Sequence, residues 1–164
     1  MKLHFEPNLD FQLAAIEAVG DRFRGQEIWR TEFTVTSQAV GGQLGLGFAE
    51  SGLGSGNRLT LLDDEILGNL NAIQLRNGLA PSPDLDSPDF TVEMETGTGK
   101  TYVYLRTIFE LNKRFGFTKF VIVVPSVAIK EGVYKTLQIT EDHFRSLYAG
   151  VPFSSGSYFL YDSS

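Results

Sequence analysis

The chain has 164 residues, 42% of them hydrophobic and 21% charged, which is ordinary for a globular domain that buries about two-thirds of its unfolded surface. It contains no cysteine, which excludes disulfides and thiolate metal sites and fits a reducing compartment. The net charge of −6 argues against a broad nucleic-acid surface, residues 1–7 lack the apolar segment of a signal peptide, and no apolar run reaches membrane-spanning length. A cytoplasmic protein without a membrane role is expected.

In chain order, Asp10 reads as the N-cap of a first helix, with Leu13, Ile16, Val19 and Phe23 on one stripe and Gly25 as its stop. Residues 28–35 have the composition of a strand. Seven glycines crowd residues 41–56, which reads as a long mobile loop and as the least ordered internal stretch. A second helix is expected from near Leu62. Asp63, Asp64 and Glu65 favour its positive end, Ile66, Leu70 and Ile73 form its inner face, and Asn77-Gly78 ends it. Three prolines and two aspartates make residues 80–88 an extended linker.

Residues 90–94 alternate as a strand, through Phe90, Val92 and Met94, and run straight into Glu95-Thr96-Gly97-Thr98-Gly99-Lys100-Thr101. A helical pattern follows with Leu105, Ile108, Phe109 and Leu111 on one face and Gly116 as its stop. Residues 120–124 form the continuous apolar run of a strand buried on both faces of a parallel sheet. Strand, helix and strand make a βαβ unit, and the fold class expected is α/β. Pro125 ends the second strand and Ser126 caps a helix carrying Ile129, Val133 and Leu137. Thr140 is placed to cap a further helix through Leu147, and residues 157–161 read as a last strand.

The turn between the first strand and its helix builds a phosphate cradle. Glycines at 97 and 99 allow φ > 0, freed N–H groups point inward, and the helix dipole adds positive charge. In such a loop Lys100 reaches the β- and γ-phosphates and the Thr101 hydroxyl ligates Mg²⁺. Met94 stands where the pattern G-x-x-x-x-G-K-[ST] has its first glycine. The plain alternative, a glycine turn beside a solvated lysine, accounts for either glycine alone but not for Lys-Thr at the helix mouth. Gln12 is open to two readings. It is a polar position on an amphipathic helix, or, behind Phe11, a primary amide whose donor and acceptor match an adenine edge.

Phe11-Gln12-x-x-Ala15-Ile16, then Thr96 to Thr101, then a strand ending Val124-Pro125-Ser126 follow the order of superfamily two helicases and translocases. More narrowly, residues 94–104, 111–120 and 124–133, with Leu75-Arg76-Asn77-Gly78 ahead of them, resemble the Res subunit of type III restriction endonucleases. In that family Met takes the place of the first Walker glycine. The resemblance implies a partial RecA-like P-loop domain, a parallel sheet flanked by helices. Its implied divisions are an adenine-reading helix in 1–26, an insertion with the glycine-rich loop and a helix in 27–89, and the P-loop βαβ core in 90–164. It implies ATP and Mg²⁺ as cofactors, double-stranded DNA as track and a methyltransferase (Mod) subunit as partner. Carried over by position, Gln12 reads adenine and Thr96, Gly97, Thr98, Gly99, Lys100 and Thr101 hold the phosphates, Lys100 as the catalytic residue and Thr101 on the metal. Pro125 and Ser126 lie in the segment that touches the DNA backbone, alongside their local roles as strand end and N-cap.

The family's acidic Walker B motif, second lobe with arginine fingers and nuclease are expected downstream, which makes this an N-terminal part, inactive alone, of an ATP-dependent site-specific deoxyribonuclease. Asp162 is not followed by Glu and does not supply Walker B. Asp63-Asp64-Glu65 precedes the P-loop and reads as a structural feature of a helix start, and Lys130 as a solvated helix lysine. Two other functions stay open on the residues alone: another superfamily two helicase or translocase on DNA or RNA, and a stand-alone nucleotide-binding module.

Overall fold

The structure is a computed structural model and describes residues 5–28, 57–149 and 159–160. Four helices make up its regular structure, α1 (Asp10–Asp21), α2 (Asp63–Arg76), α3 (Lys100–Phe115) and α4 (Val127–Leu147). α3 is the centre: α1 packs on one side and α4 on another, and α2 lies against α1. The glycine-rich segment 41–56 and most of the expected strands at 28–35 and 157–161 lie outside the described residues.

α3 presents Tyr102, Leu105 and Phe109, a stripe that meets Val133, Leu137 and Phe144 of α4 and the following Tyr148. Aromatic rings dominate this core, with centroids 4.8 Å apart for Phe109 and Phe144 and 5.4 Å for Tyr102 and Phe144. A second aromatic group, Phe23, Phe115 and Phe117, closes the far ends of α1 and α3. Gly116 caps α3 at φ 73°, the left-handed conformation that a helix stop favours.

α2 follows its expected course. Glu65 accepts the N–H of Leu62 at 2.8 Å and Asp64 accepts that of Glu65 at 3.0 Å, so these acids serve the helix start. Asn77 is the C-cap and Gly78 turns the chain at φ 72°.

Several expectations are corrected. Asp10 is not the N-cap of α1: Leu9 is, no side chain caps the helix, and Asp10 contributes charge to the first turn instead. The buried face is rotated to Gln12, Ile16 and Gly20, because Gly20 lets the Arg114 guanidinium of α3 pack against the backbone. The helix stops at Asp21, four residues before Gly25 takes φ 93°. Thr140 starts no new helix. It is buried in mid-α4 and its hydroxyl donates back to the Thr136 carbonyl at 2.7 Å, so the hydroxyl is satisfied without breaking the helix. Among the described residues there is no strand, so the parallel sheet is not seen. Residues 90–94 and 120–124 run unpaired, and Val121 and Val123 are 89% and 87% exposed where burial on both faces was expected. A strand needs a neighbouring strand for its N–H and C=O groups, and none of the described segments supplies one.

Candidate nucleotide-binding site

The loop from Glu95 to Gly99 enters α3 through two left-handed glycines, Gly97 at φ 83° and Gly99 at φ 84°. Gly99 is the N-cap, so α3 opens at Lys100 and its first turn of N–H groups faces the loop. The loop is braced internally. The Thr98 hydroxyl and the Lys100 ammonium both donate to the Glu95 carbonyl, each at 2.7 Å. Glu95, Thr96, Gly97, Gly99 and Lys100 are exposed, which leaves the concave side accessible. Thr101 is half-buried, and burial pushes the phenol of nearby Tyr104 upward, an effect that Thr101 partly offsets.

Gln12 joins the loop from 86 residues away. Its Nε2 donates to the Thr98 carbonyl at 2.9 Å, and the side chain is only 7% exposed. A carbonyl only accepts, which fixes the amide orientation and leaves Oε1 buried with no hydrogen-bond partner. An unmatched buried acceptor costs about 1–3 kcal/mol and is relieved by a ligand N–H. Gln12 thus lies against the loop with one amide atom bonded and one unpaired.

The two glycines are constrained differently. A Cβ at Gly99 would stand 2.8 Å from Gln12 Nε2, whereas one at Gly97 would meet nothing within 4 Å. Gly97→Ala carries only the left-handed penalty of about 1–2 kcal/mol. Gly99→Ala adds displacement of Gln12 and is expected to weaken nucleotide binding further than Gly97→Ala does. Side-by-side titration of the two variants checks this, and equal losses would contradict it.

An open cavity of about 1090 Å³ extends from Glu95 and Thr98 along Phe11 and Ala15 of α1 to Arg22 and Phe90. Phe11 is 50% exposed on this side. At the far end the Arg22 guanidinium lies over the Phe90 ring and donates to the Pro88 carbonyl at 3.2 Å. Loss of solvation lowers the Arg22 pKa to about 10, still charged at neutral pH. Arg22 thus holds the segment leading into the loop.

Pro125 and Ser126 sit exposed at the start of α4, where Ser126 Oγ accepts the Ile129 N–H at 3.3 Å as the N-cap. Among the described residues no three His, Cys, Asp or Glu side chains gather into a metal site. Sequence reading missed Arg106, which is buried in α3 and bonded to the Pro7 carbonyl and to Tyr148, because those partners lie 99 and 42 residues away.

The family profile of the type III restriction enzyme Res subunit matches residues 65–151, from the first turn of α2 through the loop to the end of α4. This chain belongs to that family. It is 44% identical over 95 residues to the EcoP15I Res subunit of Escherichia coli, which covers 55% of this chain and 10% of that protein. It is 35% identical over 149 residues to the EcoPI Res subunit of Escherichia phage P1, covering 88% of this chain and 14% of the relative. A 65-residue match to the StyLTI Res subunit of Salmonella typhimurium strain LT2 is 49% identical and spans 38% of this chain and 7% of that one. The chain therefore spans only a small part of the length of these relatives. No helix among the described residues is long and apolar enough to cross a membrane.

Proposed function

We propose that this chain is the ATP-binding N-terminal part of the DNA-translocating restriction subunit of a type III restriction-modification system. The observation that carries the reading is the pairing of two left-handed glycines at the mouth of α3 with the Gln12 amide on the loop carbonyl between them. The donor set fits a nucleoside triphosphate with Mg²⁺. Backbone N–H groups of residues 97–101 would donate to phosphate oxygens, the Lys100 ammonium, now on the Glu95 carbonyl, would hold the β- and γ-phosphates, and the Thr101 hydroxyl would hold the metal. The orphaned Gln12 Oε1 takes an N–H of the base, with Phe11 beside it as an apolar surface. Bound Mg²⁺–ATP supplies the transferable phosphoryl group, and these residues hold and orient it.

The wider reading rests on the family. Residues 90–94 and 120–124 are proposed as strands of a RecA-like parallel sheet, since the exposed Val121 and Val123 are where neighbouring strands would pack. The divisions 1–26, 27–89 and 90–164 then serve as adenine-reading helix, insertion and P-loop core. Pro125 and Ser126 face the DNA backbone, and double-stranded DNA and a Mod methyltransferase are partners of the whole cytoplasmic enzyme, an ATP-dependent site-specific deoxyribonuclease. The direct test is Lys100→Ala. Removing a charge-assisted phosphate contact should weaken ATP binding by about 1.5–3 kcal/mol, with little effect on folding because Lys100 is exposed. Calorimetry giving an unchanged affinity would refute the phosphate site.

A further inference from the structure

Gln12 occupies a precarious position. It is the third residue of α1, in the first turn of a helix whose N-cap, Leu9, offers no side-chain bond. The Gln12 N–H donates to the Leu9 carbonyl at 3.0 Å, but no side chain caps the N–H groups of the turn. The placement of the Gln12 amide must therefore be fixed from outside the helix.

Arg106, six residues into α3 beyond Lys100, supplies such a hold. Its Nη1 donates to the Pro7 carbonyl, five residues ahead of Gln12. Its Nε donates to the Tyr148 hydroxyl at 3.2 Å, and that hydroxyl donates on to Glu110 Oε1 at 2.7 Å. The other oxygen of Glu110 accepts from Arg114 Nε at 3.0 Å, and Arg114 Nη1 lies 3.9 Å from Asp21 at the end of α1. One polar chain on α3 thus touches the segment before α1 and the last residue of α1. Burial and the Glu110 carboxylate push the Tyr148 phenol above its ordinary range, so it stays a neutral donor. Further upstream Phe5 stacks on Tyr102 at 6.1 Å, but the Pro7 carbonyl is the anchored group nearer the helix start.

We propose that Arg106 is a positioning residue for base recognition: by clamping the Pro7 carbonyl it fixes the first turn of α1 and so sets the Gln12 amide against Thr98. The inference rests on the reading that Gln12 recognises adenine. The planar guanidinium is suited to this because it bonds two partners in different directions, which a lysine ammonium does with less geometric definition. The clamp acts first on the base; it reaches the phosphate loop only through the Gln12–Thr98 bond, whereas Lys100 and the loop N–H groups would meet the phosphates directly.

The test compares the affinities of the full chain for Mg²⁺–ATP, Mg²⁺–GTP and inorganic tripolyphosphate in Arg106→Ala, Arg106→Lys, Gln12→Ala and Arg106→Ala/Gln12→Ala variants. Arg106→Ala should lower ATP affinity by up to about tenfold, the size of the neutral Gln12–base hydrogen bond it would disable, while tripolyphosphate affinity holds. The preference for ATP over GTP should fall to that of Gln12→Ala, the double variant should be no worse than Gln12→Ala, and Arg106→Lys should fall between. If Arg106→Ala does not fold, Tyr148→Phe, which removes the Nε acceptor, carries the same prediction at smaller size. ATP and tripolyphosphate affinities falling together would make Arg106 a folding residue only and overturn the proposal. An ATP preference lost in Gln12→Ala but kept in Arg106→Ala, or in Tyr148→Phe if that stands in, would overturn it alone. An ATP preference unchanged in Gln12→Ala would overturn the base-reading role of Gln12 and this inference with it.

Discussion

Phe144→Ala is expected to lower the stability of the chain by about 3–5 kcal/mol, the usual cost of emptying a phenylalanine-sized space in a packed core. Phe144 is fully buried, and its ring lies within reach of Tyr102, Phe109 and His143, at 5.4, 4.8 and 5.5 Å between centroids. These neighbours come from both α3 and α4, so the cavity would lie in the joint that holds the two helices together. The neighbours are themselves large rings with fixed orientations, and they collapse poorly into the space. Domains of this size are stable by only about 5–15 kcal/mol, so the loss removes a large share. Urea unfolding checks it, and a midpoint equal to that of the parent chain would show that the joint is not where stability resides. Nucleotide affinity should persist in whatever fraction remains folded, since Phe144 stands on α4 and its ring neighbours are Tyr102, Phe109 and His143.

The parts of the fold that were legible in the sequence are those with one local solution. Gly97 and Gly99 ahead of Lys100-Thr101 leave the chain little choice but left-handed turns into a helix, and α3 begins at Lys100 as expected. The acids at 63–65 and Asn77-Gly78 likewise bound α2 by capping chemistry that needs no distant partner. Gln12 was ambiguous because an amphipathic helix tolerates an amide anywhere on its edge. Its contact with Thr98, far away in the chain, is visible only in the fold. The same distance hid Arg106 and also Asp21, which gathers Arg76 at 2.7 Å and Arg114 at 3.9 Å from two other helices. Thr140 misled because its hydroxyl suits either a helix start or a bond back to the preceding turn, and hydrophobic spacing decides for the latter only once α4 is packed. The strand expectations at 90–94 and 120–124 depended on partners, and neither alternation in the first nor a continuous apolar run in the second creates a ladder by itself.

ATP turnover by the 164-residue chain is expected to be negligible even where ATP binds. Phosphoryl transfer asks for a positioned attacking water and for neutralisation of charge on the transferred group. On the proposed reading the cradle would supply part of this through the loop N–H groups, Lys100 and Thr101. Beyond the loop the only adjacent acidic pair in the sequence is Glu141-Asp142, inside α4, and Asp162 is followed by Ser163. A metal held by Thr101 and phosphates alone leaves its remaining ligands to solvent, and no group then orients the water. An arginine finger reaching the γ-phosphate is worth about 10³–10⁵ in rate in other P-loop enzymes, so a cradle working without one forfeits that factor as well. An ATPase assay on the purified chain, with Lys100→Ala as the control, reads this directly: both should lie at background. Turnover well above background that vanishes in the variant would mean that a catalytic carboxylate lies within these residues. Glu95 is then the first to replace, because it stands in the loop with its side chain exposed and its carbonyl already bonded to Lys100 and Thr98. Glu95→Gln keeps that carbonyl and removes only the charge, so a loss of turnover with unchanged ATP affinity would assign the missing base to it.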